Sequence, residues 1–161
     1  LVVGDLGCGT GAVSAELAPH VERVIAVDES KAMLGAARRR LAPFDNVELR
    51  AGALEALPLG DHELDAAVLS LVLHYVMEPA VALVEARRVL RPGGRIVVVD
   101  MIEHGRSEYR EQMGHVWEGF GEDRMRAWLE DAGFARVKWT GLAPAAGAKG
   151  PLLFAASGVA T

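Results

Sequence analysis

The chain has 161 residues, of which 51% are hydrophobic, and its formal net charge is −5. This length suits one domain with a sizeable core, and the acidic balance argues against a nucleic-acid-binding surface, which needs clustered Lys and Arg. The single cysteine, Cys8, excludes an intrachain disulfide and fits a reducing compartment, so we expect a cytoplasmic protein. No apolar run reaches the roughly 18 residues of a membrane-spanning helix.

Strand and helix patterns alternate along the chain. Strands are predicted at 1–6, 23–30, 46–52, from 64 onward, and at 94–102, 135–143 and 150–158. Helices are predicted at 11–20, 30–42, 78–94 and 121–134. Runs of Val, Ile and Leu joined by helices indicate a parallel sheet covered on both faces. The loop between the last two strands is too short for a crossover helix, so we expect that pair to be antiparallel.

A glycine-rich turn, residues 7–12 (GCGTGA), joins the first strand to the first helix. Glycines let the backbone turn sharply and let a ligand come close, and the following helix offers free N–H groups. The pattern is typical of a site for a nucleotide-like cofactor. Cys8, inside the turn, is interpreted as a small filler rather than a nucleophile.

Asp5, two residues before the first glycine, distinguishes between two classes of cofactor. A dinucleotide would bring a pyrophosphate to this turn, and a carboxylate would oppose that negative charge. S-adenosylmethionine has no phosphate, and Asp5 can accept from its ammonium directly or through water while N–H groups of the turn bind its carboxylate. We therefore expect S-adenosyl-L-methionine as cofactor, with S-adenosyl-L-homocysteine as its product.

Asp28 ends the second strand roughly 20 residues after the turn, where an acid accepts hydrogen bonds from ribose hydroxyls. Glu29 stands beside it and can share that role. Ser30 is better placed than Asp28 to cap the next helix. Met33, one turn into that helix, can either pack on an adenine ring or belong to the core.

Three segments together resemble the class I S-adenosylmethionine-dependent methyltransferases: VVGDLGCGTG at 2–11, VIAVDES at 24–30 and RVLRPGGRIVVVD at 88–100. The resemblance covers nearly the whole chain. It implies a Rossmann-like, doubly wound α/β fold with seven strands, mostly parallel with an antiparallel last strand. It also implies a single domain over residues 1–161 that transfers a methyl group to a small molecule.

The same resemblance implies a set of cofactor contacts. Those with the methionine moiety and the ribose are Asp5, Gly7, Gly9 and Asp28. Ala53 stands where the family often has an acidic adenine contact, so the backbone N–H of Leu54 or the side chain of Glu55 would substitute. Ser70 and Leu71, at the end of the fourth strand, match the position beneath the sulfonium.

A narrower resemblance lies in residues 73–120, which are similar to methyltransferase domains fused behind an ArsR-type winged-helix regulator, and more distantly to quinone-biosynthesis C-methyltransferases. It implies a winged-helix DNA-binding domain in the full-length protein. Because a core strand begins at residue 1 without an initiator Met, we expect a piece of a longer chain. The other expected partners are a small-molecule substrate and a second copy, with no nucleic acid bound by this domain itself.

Side chains suited to proton transfer follow the fourth and fifth strands. Methyl transfer needs alignment and exclusion of water, and it needs a base only when the nucleophile is a weak acid. The candidate catalytic residues are His74, Tyr75, His104 and His115, of which the histidines titrate near neutral pH. The spacing of His104 and His115 matches no metal-binding signature, so no metal is expected.

The sequence thus predicts a methyltransferase that acts on a small molecule. Two alternatives stay open. One is a module that senses the cofactor for a transcriptional regulator without robust catalysis, and the other is a nucleotide-dependent oxidoreductase.

Overall fold

A computed structural model describes residues 1–161. Its seven strands are β1 (Val2–Leu6), β2 (Arg23–Asp28), β3 (Val47–Ala51), β4 (Leu64–Ser70), β5 (Leu90–Met101), β6 (Phe134–Gly141) and β7 (Leu153–Ala160). The helices are α1 (Ala12–Leu17), α2 (Lys31–Leu41), α3 (Pro79–Val89), α4 (Glu108–Met113) and α5 (Glu122–Asp131). All strands belong to one sheet in the order β3-β2-β1-β4-β5-β7-β6.

The predicted fold class is confirmed. β1 to β5 run parallel, and β7 pairs antiparallel with both β5 and β6. β2 is buried on both faces over four consecutive residues, 24–27, as expected for a central strand under helices. β3, whose sequence alternates polar and apolar residues, forms one edge of the sheet.

Two elements differ from the sequence prediction. The predicted third helix reached Gly94, but α3 ends at Val89 and β5 already begins at Leu90, which pairs with Leu64. The ladder between β4 and β5 then shifts register, and Gly93 adopts a φ of 81° in the extra residues. The short helix α4 was not predicted, because its six residues bury no side chain and so carry no apolar stripe.

The helix caps follow the sequence closely. Ser30 caps α2 by accepting from the N–H of Met33 at 3.3 Å, and Pro79 begins α3. Gly133, with a φ of 99°, follows the end of α5. None of the helices combines the length and the apolar character that a membrane crossing requires.

Parallel β1 to β5 all point their carboxyl ends to the same edge of the sheet. The loops that follow these strands therefore meet there, and open α/β sheets bind ligands at that edge.

Candidate active site

A cavity of about 820 Å³ opens at the carboxyl ends of β1 to β4. Its wall comes from the glycine turn after β1, the residues following β2, β3 and β4, and Met113 of α4. The volume falls in the upper part of the range of about 300–1,000 Å³ that is typical of ligand pockets. The predicted cofactor residues on this wall are Gly7, Gly9, Asp28, Glu29, Met33, Ala53, Leu54, Glu55 and Leu71.

The three glycines of the turn, Gly7, Gly9 and Gly11, all have positive φ but face different surroundings. A Cβ on Gly7 would lie 2.4 Å from Val72, and one on Gly11 would lie 2.8 Å from Leu41. A Cβ on Gly9 would meet nothing within 4 Å. Packing inside the protein therefore requires two of the glycines, whereas Gly9 borders open space on the cavity wall.

Most N–H groups of the turn are used within the protein. Those of Gly7 and Cys8 both donate to the carbonyl of Val27 at 2.8 Å, and that of Gly11 donates to Cys8 at 2.9 Å. The N–H of Gly9 donates to Asp28 at 2.8 Å. The turn thus keeps few N–H groups for an anion, which runs against the expectation that they bind the carboxylate of S-adenosylmethionine, and it instead holds a carboxylate of its own.

Asp28 ends β2 and lines the cavity with its carboxylate fixed at both oxygens. Oδ2 accepts from Gly9, and Oδ1 accepts from the N–H of Ser30 at 2.9 Å. Each carboxylate oxygen has a second lone pair, so Asp28 can still accept from a ligand hydroxyl. Glu29 and Met33 extend the same wall.

Asp5 and Ser70 lie off the cavity wall. Asp5 is 1% exposed and accepts a hydrogen bond of 2.6 Å from the hydroxyl of Ser14. Burial raises the pKa of Asp5 above its ordinary value, and the hydrogen bond from Ser14 opposes that rise. The predicted contacts of Asp5 and Ser70 with a cofactor stay predictions. For Asp5, a contact with the ammonium through water fits the burial of its side chain better than a direct one.

Cys8 is buried inside the turn. Burial, with the nearby negative charges of Asp5 and Asp28, raises the pKa of its thiol to about 12. The thiol therefore stays protonated at neutral pH, which agrees with the interpretation of Cys8 as a filler.

His74 lies in a single helical turn after β4 and is bonded to the end of β5. Its Nδ1 donates to Oδ1 of Asp100 at 2.8 Å, and both side chains are buried. The ring centroids of Tyr75 and His115 each lie 4.2 Å from that of His74. Tyr75 is 49% exposed and lines the cavity.

His104 and His115 complete a group of rings around this pair. The N–H of Arg106 donates to Nδ1 of His104 at 2.9 Å, so the neutral ring carries its proton on Nε2. Burial lowers the pKa of His104 and that of His115, which keeps both rings neutral at pH 7. His115 also stacks on Tyr109, with centroids 5.5 Å apart.

Three polar atoms in this region are buried without a hydrogen-bond partner: Oδ2 of Asp100, Nε2 of His104 and Nδ1 of His115. Such atoms are rare in proteins because each costs about 1–3 kcal/mol. The four predicted catalytic residues are thus brought into one cluster, but only Tyr75 forms part of the cavity wall. No group of three His, Cys, Asp or Glu side chains is arranged to hold a metal ion.

Sequence reasoning missed four other apolar residues of the wall. Val72, Val76 and Met77, which follow β4, and Met113 of α4 all line the cavity. Met113 is 54% exposed. The run of apolar residues that continues past the end of β4 could have indicated these wall residues, because several of them are exposed.

Residues 4–98 match the model of a protein family that is described as "Methyltransferase domain". The matched span contains the glycine turn, Asp28 and His74. The chain belongs to this methyltransferase family. Membership implies S-adenosylmethionine as the cofactor, and the open space at Gly9 beside Asp28 fits that molecule.

Individual relatives agree with this assignment. The demethylmenaquinone methyltransferase of Clavibacter sepedonicus is 35% identical over an alignment of 162 positions that covers 83% of this chain and 65% of that protein. An uncharacterized 37.1 kDa protein of transposon TN4556 from Streptomyces fradiae is 48% identical over 97 residues, which cover 58% of this chain and 28% of that protein. The chain therefore spans less than two thirds of the length of each.

The fold has close counterparts among solved structures. The S-adenosylmethionine dependent methyltransferase from Mesorhizobium loti superposes with a TM-score of 0.84 at 23% identity. The match covers 99% of this chain and 90% of that one. This similarity shows that the two chains share a fold.

Proposed function

We propose that this domain binds S-adenosylmethionine in the cavity and transfers its methyl group to a small-molecule acceptor. The observation that carries the proposal is the open space at Gly9 next to Asp28, in a cavity at the carboxyl ends of the strands of a methyltransferase fold. The same proposal places the protein in the cytoplasm, where a lone thiol stays reduced. A winged-helix module and a second copy stay predictions.

The electrostatics of the turn favour this cofactor over a dinucleotide. A pyrophosphate needs several free N–H groups, and here Gly7, Cys8, Gly9 and Gly11 donate theirs to the protein. A cofactor with a cationic sulfur and an ammonium suits these same features.

Different residues of the cavity wall would bind the cofactor and the acceptor. Asp28 would hold the ribose hydroxyls, and Met33 and Leu54 would pack against the adenine. When bound, the cofactor supplies a methyl carbon that its sulfonium has already activated. The apolar side chains after β4 and Met113 would then shape the acceptor side and exclude water, which keeps the two reactants aligned.

A small organic acceptor fits the available space. The cavity volume of about 820 Å³ lies in the upper part of the range typical of ligand pockets, and nine of the 15 residues that line it are hydrophobic. The name of the Clavibacter sepedonicus relative, a demethylmenaquinone methyltransferase, supports an organic acceptor of this type.

Calorimetric titration with S-adenosylmethionine and S-adenosylhomocysteine tests the proposal. We expect binding to the wild-type domain, and Asp28→Ala should weaken it at least tenfold because the ribose loses its acceptor. Asp45→Ala, which removes an exposed carboxylate after α2, is the matched control and should bind like wild type. Thermal unfolding of each variant shows whether the fold is kept.

Absence of binding to the folded wild-type domain would refute the proposal. Binding without turnover of any acceptor would favour the sensing module instead. Binding of a nicotinamide dinucleotide in preference to S-adenosylmethionine would point to the oxidoreductase.

A further inference from the structure

The buried pair of His74 and Asp100 has the geometry of a base held by a carboxylate. Oδ1 of Asp100 accepts from Nδ1 of His74 and from the N–H of Met101, each at 2.8 Å. Because the carboxylate can only accept, Nδ1 carries the proton and Nε2 keeps a lone pair. Nε2 makes no hydrogen bond and is not among the fully buried atoms that lack a partner, so it keeps some access from outside.

This pair lies one side chain away from the cavity. Val72, Tyr75 and Val76 line the cavity on either side of His74 in the sequence. The ring of Tyr75 is 4.2 Å from that of His74 and 5.0 Å from that of His115. An acceptor that packs against Tyr75 would therefore bring a hydroxyl group close to the histidine cluster.

The cluster also offers unused hydrogen-bonding capacity to such a hydroxyl. Oδ2 of Asp100 and Nδ1 of His115 are buried without partners, on side chains that are 0% and 7% exposed. A hydroxyl group can both donate and accept, so it can satisfy atoms of either kind. Nothing in the cofactor role of the cavity uses these atoms.

The charges of the cavity wall restrict the class of acceptor. Asp28, Glu29 and Glu55 are its charged residues, and neither Lys nor Arg lines it. An anionic acceptor would be repelled, whereas a flat neutral molecule would pack on Tyr75 and the apolar residues around it. A neutral hydroxyl is a poor nucleophile until it loses its proton, so this acceptor requires a base.

We propose that His74, held by Asp100, removes the proton from the hydroxyl of a neutral hydroxyaromatic acceptor, an inference that rests on the methyl transfer proposed above. The O–H bond breaks, its proton moves to Nε2 of His74, and its electron pair stays on the oxygen. That pair forms the bond to the methyl carbon while the carbon–sulfur bond breaks and leaves a neutral thioether. Asp100 stabilises the imidazolium, which then releases its proton to water.

The experiment uses 2-naphthol as acceptor with S-adenosylmethionine, and chromatography measures the methyl ether and S-adenosylhomocysteine formed. The variants are His74→Asn, which keeps a donor for Asp100 but cannot take a proton, and Asp100→Asn. His62→Asn is the matched control. Nδ1 of His62 also makes a hydrogen bond, with the carbonyl of Leu90, but Leu90 lies at the start of β5 and therefore at the end of the strand opposite to the cavity. Calorimetry with S-adenosylhomocysteine and thermal unfolding accompany each variant.

His74→Asn should lower kcat at pH 7 by about 10²–10⁴-fold while the affinity for S-adenosylhomocysteine stays within twofold of wild type. Its rate should then rise about tenfold per pH unit towards pH 9, because a phenol with a pKa near 10 ionises without the base. Asp100→Asn, as a positioning residue, should lower kcat more than it changes KM. His62→Asn should behave like wild type.

The pH profile separates a base from a merely structural histidine, since alkali cannot repair a packing defect. The titratable groups that surround His74 are Asp100, Tyr75, His104, Tyr109 and His115. A His74→Asn rate equal to wild type, or one without rescue at high pH, overturns the inference. So does a wild-type domain that binds S-adenosylhomocysteine but does not methylate 2-naphthol. A wild-type domain that does not bind S-adenosylhomocysteine refutes the proposed function, and this inference with it.

Discussion

Gly9 differs from its neighbours in the turn because its missing side chain leaves space for a ligand. Gly9→Ala should therefore weaken binding of S-adenosylhomocysteine by at least tenfold, since the added methyl group would occupy the open space on the cavity wall. Calorimetric titration measures this loss. The substitution also strains the backbone, because Gly9 has a φ of 53°.

Gly93→Ala controls for that strain. Gly93 has a φ of 81°, and a Cβ added there would also meet nothing within 4 Å, but this residue lies at the start of β5, far from the cavity. Both variants should lose similar stability, of about 1 kcal/mol, while only Gly9→Ala loses affinity. Equal affinities for the two variants would show that the ligand does not approach Gly9.

Asp5 is held at a cost to stability that depends on pH. Its pKa is raised in the folded state by burial, so the folded protein holds this proton more tightly than the unfolded chain does. The protonated carboxyl of Asp5 therefore contributes fully to folding stability below the unfolded pKa of about 3.9, and this contribution is lost as the pH rises through the folded pKa. Asp5→Asn should thus raise Tm at pH 7 by about 2–4 °C, the shift expected for ~1 kcal/mol in a domain of this size.

The gain from Asp5→Asn should shrink as the pH falls towards 4, which thermal unfolding over a pH series measures. Ser14→Ala is the control of opposite sign, because it removes the donor that Asp5 accepts from and should destabilise by about 1–3 kcal/mol. A gain for Asp5→Asn that did not change with pH would contradict the explanation from burial.

At the level of elements, α4 is the least anchored part of the site. None of its side chains is buried, and Ser107 provides no side-chain cap. Met113 at its end lines the cavity. Amide hydrogen exchange should therefore be fast in α4 and should slow at least severalfold when S-adenosylhomocysteine binds.

The helix α5 is the internal control for that measurement. Met125 and Leu129 of α5 are fully buried, and no residue of α5 lines the cavity. Exchange in α5 should be slow and independent of the ligand. Equal exchange of α4 with and without the ligand would show that α4 does not take part in binding.

Elements with strong local patterns were predictable from the sequence. The apolar runs of β1 and β2 predicted buried strands, and the short loop before β7 predicted its antiparallel direction. Asp28 was found because the end of a parallel strand is where ligands bind. α4 has no apolar stripe, so no local pattern could indicate it.

Contacts that depend on tertiary structure were not predictable. His74 and Asp100 are 26 residues apart, and their pairing depends on the register of β4 with β5 and on the helical turn after β4. Asp5 was expected at the ligand, but its side chain points to Ser14 in α1. The packing of Met113 against the cavity depends on where α4 docks.

For the whole molecule, β7 is the strand that joins the last part of the sheet to the rest. It pairs with β5 over seven residue pairs and also with β6, and its Phe154 is fully buried. Deletion of residues 152–161 should therefore remove the cooperative unfolding transition, because it exposes the edge of β5 and leaves β6 without a partner. Calorimetry and circular dichroism measure that loss.

A deletion in the loop before β7 separates the role of this strand from the effect of shortening the chain. Residues 142–150 are all exposed. The N–H of Leu142 donates to the carbonyl of Leu153, so this pair closes the hairpin at the base of the loop. Removal of residues 145–149 shortens the stretch between Leu142 and Leu153 to five residues, a length that hairpin loops accommodate. The free energy of loop closure changes by only about 0.6 kcal/mol per twofold change in length. This variant should keep Tm within about 4 °C of wild type. If it unfolded like the deletion of 152–161, the hairpin loop itself, rather than the insertion of β7 between β5 and β6, would be what the sheet depends on.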